Sequence, residues 1–122
     1  MVRMRRVLII EDDEDIRGAL GEVLLSEGHV VTEASDGLEG LRSARAQRPD
    51  VILLDLMMPR MDGWAFREAQ RNDARLAAIP IVVISACLED QVHGLGAVAH
   101  LHKPFEVSDL LAVIGSLAAV AA

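Results

Sequence analysis

Five short runs of β-branched and aliphatic residues, at positions 6–10, 30–33, 51–54, 81–84 and 98–101, alternate along this chain with longer amphipathic stretches. Such alternation is the pattern of βα units, in which each strand reaches a parallel neighbour through a crossover helix. The first, third and fourth runs are apolar throughout, as strands covered on both faces must be, so they belong at the centre of the sheet. The second run is more polar and the fifth is weak, which makes them edges. Right-handed crossovers then set helices on both faces of a five-stranded sheet, while the pattern leaves strand order open. With 122 residues, 52% of them apolar, the chain has enough for one core, and residues 1–122 are read as a single domain.

The helices are marked by spacing and by their ends. Ile16, Leu20, Val23 and Leu24 recur at helical intervals, with acids before them and Gly28 after them as a stop. Gly18 and Gly21 inside this first helix each cost roughly 1 kcal/mol against alanine, so packing must stabilise it. A second helix follows the Ser35–Asp36 cap signal, with Leu38 and Leu41 as its apolar side. A third follows Gly63, is expected to bury Trp64 and Phe66, and ends near Asn72. The fifth is expected from about Val107 to Ala119, with Leu110, Leu111, Ile114 and Leu117 as its inner stripe.

A net charge of −7 argues against a phosphate-backbone partner, because nucleic-acid binding rests on clustered Lys and Arg. The apolar run after the N-terminal arginines stops at Glu11, far short of a membrane span. The expectation is a soluble, cytoplasmic protein. The single cysteine, Cys87, has no internal disulfide partner and is read as an inert thiol. His29 and His93 are read as surface residues.

The chemistry lies where strands end. In an open parallel sheet, ligands bind at the carboxyl ends of the strands. Glu11 and Asp12 follow the first run, Asp55 breaks the apolar run Val51–Leu54 at its end, Ser85 follows the fourth run and Lys103 the fifth. Three carboxylates that converge are unfavourable unless protonated or bridged by a cation. Oxygen ligands without Cys or His favour magnesium, which also accepts phosphate oxygens as ligands. Ser85 adds a hydroxyl and Lys103 an ammonium, so the edge has the parts to hold a phosphoryl group, with Asp55 as nucleophile. Taken singly, an acid run is a solvated helix cap, a serine after a strand is a cap, and Lys-Pro is a turn. An X-Pro bond can also be cis, which would aim Lys103 inward. What favours chemistry is that all four pieces fall at successive strand ends without serving packing.

These residues resemble the receiver domains of two-component response regulators, over nearly the whole chain. The acid pair after RVLII, the DLMMPRMDG segment with Asp55, ISA with Ser85 and HKPF with Lys103 occur in the family's order. The resemblance implies a doubly wound, flavodoxin-like α/β fold with strand order 2-1-3-4-5. It implies phosphorylation of Asp55 by a histidine kinase or histidine phosphotransfer protein. It also implies magnesium bound by Asp12 and Asp55, by Glu11 through water and by the Met57 backbone carbonyl, with Ser85 and Lys103 turning to the phosphoryl group. Such a domain is a signalling phosphoacceptor, not an enzyme, and acts on a downstream protein target or output domain, as a monomer or weak homodimer.

Two departures stand out. Ser85 and Lys103 are 18 steps apart, about four fewer than receivers commonly have, so the fourth helix is expected to be one turn short, a turn being roughly 3.6 residues. Residues 89–95 are read as a stub or a loop. Where the family usually carries an aromatic switch residue, three before the lysine, this chain has His100. His100 and His102 alternate on one strand and so share a side; an imidazole in place of the aromatic rotor is the preferred reading over a metal pair. Two other functions are open to such a chain. A magnesium phosphohydrolase would want a second acid two residues after Asp55, where Met57 stands. A degenerate receiver acting without phosphorylation rests on the short fourth helix alone. No output domain follows the fifth helix, which leaves open a stand-alone receiver or one cut from a longer regulator.

Overall fold

A computed structural model of the chain describes residues 4–87 and 89–117. Its strands are β1 (Arg6–Ile10), β2 (Val30–Ala34), β3 (Val51–Asp55), β4 (Ile81–Ser85) and β5 (Ala99–His102). They form one parallel sheet of order β2-β1-β3-β4-β5, with β2 and β5 at the edges as their polarity requires. The helices are α1 (Glu14–Ser26), α2 (Gly37–Ala46), α3 (Gly63–Arg71), α4 (Glu89–Val92) and α5 (Val107–Ser116).

Alternate side chains of each central strand enter opposite cores. Leu8, Ile10, Ile52, Leu54, Ile81 and Val83 pack with Leu41 of α2, Phe66 of α3 and Val92 of α4 on one face. Val7, Ile9, Leu53, Val82 and Ile84 pack with Leu20 and Leu24 of α1 and Leu110 and Ile114 of α5 on the other. This doubly wound arrangement fixes the carboxyl ends of β1, β3, β4 and β5 along one edge.

Short polar residues start the helices. Asp13 accepts hydrogen bonds from the Asp15 and Ile16 amides, and Asp62 accepts one from Ala65 at the start of α3, each cap stabilising by about 1 kcal/mol. Asp36 does the same for α2 through the Glu39 amide. After α1 the chain turns at Gly28, whose φ of +89° a side chain would resist.

Several expectations are corrected. His29 is buried, not at the surface: its Nδ1 accepts a hydrogen bond from the Arg5 amide at 3.0 Å, where β1 and β2 begin. Leu38 is exposed while Leu41 is buried, because the face that α2 buries is made by Gly37, Gly40, Leu41 and Ala44. Trp64 is half-buried, with its indole N–H donating to the Gln91 carbonyl. Helix α5 stops at Ser116, since Leu117 leaves helical dihedrals at ψ 126°; Ala119 lies outside the described residues. The last strand begins one residue later than expected, at Ala99. The fourth helix is the short stub anticipated, a single four-residue turn.

Candidate functional site

Asp55 is the last residue of β3 and is almost fully buried, 4% exposed. It is held by its neighbours' backbone. The Leu56 amide donates to Asp55 Oδ1 at 2.9 Å, and the Gly63 amide donates to the Leu56 carbonyl at 2.9 Å, closing the β3–α3 loop against the strand end. A Cβ on Gly63 would lie 2.6 Å from the Asp55 carbonyl oxygen and 2.7 Å from Leu56 Cα, so only glycine fits there. The sequence marked Gly63 only as the residue before the third helix; the structure shows that it is needed for close approach.

The same loop is tied sideways to α2. The Gly37 amide donates to the Met61 carbonyl at 3.1 Å, and the Arg60 guanidinium pairs with the buried Asp36 carboxylate. Arg60 sits at φ +63°, unusual for a residue with a side chain. Its ion pair and the Arg67 contacts below carried no periodicity or motif that would reveal them in the sequence.

Glu11, one residue past β1, is 1% exposed; its amide donates to Ala34 and its carbonyl accepts from Arg17 Nη1 at 2.8 Å. Asp12 follows and is exposed. Carboxylate oxygens of Glu11, Asp12 and Asp55 all lie within 4.8 Å of one another. From β5, Lys103 Nζ reaches Glu11 Oε1 at 2.5 Å and Asp55 Oδ1 at 3.6 Å. Its peptide to Pro104 is cis.

The electrostatics show a crowded anionic cluster. Burial, together with the neighbouring Asp55 carboxylate, pushes Glu11 up to about 7 against the opposing pull of Lys103. Burial disfavours the charged Lys103, yet the Glu11 and Asp55 carboxylates outweigh it and hold the ammonium above its ordinary pKa. Three carboxylates against one ammonium leave the cluster two charges negative when fully ionised. Hard oxygen donors at this spacing with that deficit fit a magnesium ion.

Ser85 ends β4, fully buried, one step beyond the β4 residue that lies in register with Asp55. Its Oγ accepts from the Cys87 amide at 2.9 Å, and its carbonyl accepts from the Lys103 amide at 2.9 Å. Met57 has an exposed side chain two residues past Asp55. His100 is apart from the cluster, in register with Val83; its ring packs edge-on to His102 with centroids 6.0 Å apart, and its Nε2 is buried without a hydrogen-bond partner. The two histidines do share a side of the strand. Among the described residues, no group of three or more potential ligands other than Glu11, Asp12 and Asp55 is close enough to hold a metal ion.

Residues 7–115 match the family model of the response regulator receiver domain. The chain is 42% identical over 115 residues to the transcriptional regulatory protein PdtaR of Mycobacterium tuberculosis, covering 90% of this chain and 55% of that protein. It is 38% identical over 118 residues to the DNA-binding dual master transcriptional regulator RpaA of Synechocystis, covering 93% and 49%. The chain thus spans about half the length of these relatives. Among solved structures, it is similar to the chemotaxis protein CheY4 of Vibrio cholerae, with a TM-score of 0.84, 32% identity and coverage of 92% and 97%. It is also similar to the receiver domain of a Pseudomonas aeruginosa sensor histidine kinase, described with a magnesium ion in its active-site cleft, with a TM-score of 0.82, 29% identity and coverage of 92% and 95%.

Proposed function

The chain belongs to the response regulator receiver domain family, and from that membership we propose that Asp55 is its phosphoacceptor. One observation carries the reading: three carboxylates from two adjacent strand ends converge within 4.8 Å, and an ammonium from a third strand end touches two of them. A cluster of that kind costs the fold stability unless it is protonated or bridged by a cation, and packing gains nothing from it.

In this reading an Asp55 carboxylate oxygen attacks the phosphorus of a phosphohistidine on a kinase or phosphotransfer protein. The new O–P bond forms as the N–P bond breaks, and the electron pair returns to the imidazole. Lys103 donates to a phosphoryl oxygen and offsets its charge. The Ser85 hydroxyl, on the next strand end, gives up the Cys87 amide and turns to another phosphoryl oxygen. Glu11, Asp12, Asp55 and the Met57 carbonyl are the groups that would hold magnesium; bound there, it would neutralise charge on the transferring group. His100 takes the place of the aromatic rotor, its unpartnered Nε2 ready to gain a bond when the neighbouring backbone shifts.

The phosphoryl group shifts a two-state equilibrium only through contacts that differ between the states, and those of Ser85 and Lys103 supply that difference. Residues 1–122 act as one receiver domain, passing the change to a protein target or output domain. Incubation with magnesium and a small phosphodonor, followed by intact mass, tests the assignment. One added phosphoryl group is expected in the wild type and none in Asp55→Asn; an adduct that survives this substitution would place the acceptor elsewhere.

A further inference from the structure

Away from the acidic edge, α3 and the segment after α4 enclose a cleft of about 510 Å³ lined by Trp64, Arg67, Glu68, Arg71, His93 and Leu95, among others. Its volume lies in the range of small-molecule sites. Trp64, Arg67 and Arg71 follow one another at helical intervals of three and four, so a single stripe of α3 faces it.

Two guanidinium groups converge at one end. A Cβ built on Gly96 would lie 3.0 Å from Arg71 Nη2 and 3.2 Å from Arg67 Nη2, and the φ of +69° there also disfavours a side chain. Among the described residues both groups have only neutral acceptors. Arg67 donates to the Leu95 carbonyl at 2.7 Å, the Gln70 side-chain oxygen at 2.7 Å and the Gly96 carbonyl at 3.5 Å; Arg71 donates to the Gly94 carbonyl at 2.9 Å. Among the carboxylates whose side chains the structure describes, none forms an ion pair with either arginine, Glu68 on the cleft wall included. Burial and the adjacent Arg71 charge both disfavour the charged form of Arg67. Two cations side by side without a counter-charge among the described side chains, on a chain of net charge −7, are an arrangement that a bound anion relieves.

We propose that this cleft binds a small organic phosphate of nucleotide size. Its phosphoryl oxygens accept from Arg67 and Arg71, His93 stands at the mouth, and the Trp64 ring, fixed by its bond to the Gln91 carbonyl, packs on the organic part. The guanidinium nitrogens that an anion engages also hold the carbonyls of residues 94–96. Occupancy therefore bears on the connection from α4 to β5. None of these residues belongs to the phosphoacceptor cluster, so the site stands apart from that chemistry.

The chain has one tryptophan and no tyrosine, so Trp64 emission reports on the cleft. With the full chain in chelator, to keep divalent ions from the acidic edge, adenosine and guanosine diphosphates and inorganic pyrophosphate are titrated separately, with calorimetry in parallel. Saturable binding is expected, tighter for a nucleotide than for pyrophosphate, unchanged in Asp55→Asn. Arg71→Gln, at an exposed position, should weaken it at least about tenfold while its thermal melt shows the variant still folded throughout the titration, and Arg71→Lys should restore part of it. The proposal is overturned by the absence of saturation with any of the three ligands, by an equal response to sodium chloride at matched ionic strength, or by loss of binding in Asp55→Asn.

Discussion

At the β3–α3 connection main chain packs directly on main chain, whereas between β4 and β5 the backbone is held from outside by long side chains of another helix. In the first region the Gly63 amide bonds to the Leu56 carbonyl, and no room is left for even one added carbon. In the second, Trp64, Arg67 and Arg71 bond to carbonyls of residues 91 and 94–96, while among the described residues of that segment only Val92 and Leu95 reach the core as buried side chains. A single helical turn cannot satisfy its own terminal carbonyls, and donors from α3 take over that role. The first region is positioned by main-chain hydrogen bonding and close backbone contact, the second by side-chain contacts that can be exchanged.

The largest expected effect comes from forcing a methyl into the first region. Gly63→Ala meets backbone atoms, which cannot rotate away, and should cost about 3 kcal/mol, the upper part of the range for overpacking. A urea unfolding series would measure it, together with loss of phosphodonor labelling. In the second region Arg67→Ala removes three hydrogen bonds, one of them to buried Gln70, at a cost of about 2 kcal/mol. Hydrogen exchange should speed up across residues 91–98 and leave the β1 and β3 strand ends protected. Uniform loss of protection across the sheet would show that the two regions are one cooperative unit. Gly94→Ala meets nothing within 4 Å and carries only the penalty of φ +91°, about 1 kcal/mol. If it cost as much as Gly63→Ala, the distinction between the regions would fail.

The smallest expected effect is a pH dependence at the opposite edge of the sheet. Burial, with the Arg5 charge adding to it, lowers the His29 pKa below 6.5, and its Nδ1 must stay unprotonated to accept from the Arg5 amide. As pH falls below 6.5 the unfolded chain takes up this proton first. The stabilising contribution is therefore present above 6.5 and lost on acidification towards the folded-state pKa. A thermal-melt series from pH 7.5 to 5, flatter in His29→Gln than in the wild type, would check it, the range bracketing the ordinary histidine pKa of about 6.5.

Much of this was legible in the sequence, for physical reasons. An acid that breaks an apolar run, such as Asp55, is visible because a buried strand tolerates no charge in its middle, and the edge strands declared themselves by polarity. The order of the strands came from the resemblance, since hydrophobic pattern carries no information about which strands are neighbours. What stayed hidden depended on contacts distant in sequence. His29 has no periodicity of its own, so nothing marked it as buried against Arg5. Arg67 and Arg71 look like a solvated helical face until the segment after the shortened α4 brings its carbonyls within reach. Arg60 adopts a left-handed backbone that no local signal announces, because Asp36, twenty-four positions earlier, holds it there.

The main-chain closure at Gly63 has one more consequence. Because the loop beyond Asp55 takes its shape from backbone bonds, the exposed side chain of Met57 is not needed to maintain that shape. Residue 57 can therefore vary in size and polarity at little structural cost, right beside the proposed phosphoacceptor. If Asp55 takes phosphoryl groups as proposed, residue 57 is a place where discrimination between donors can diverge while the carboxylate cluster stays constant.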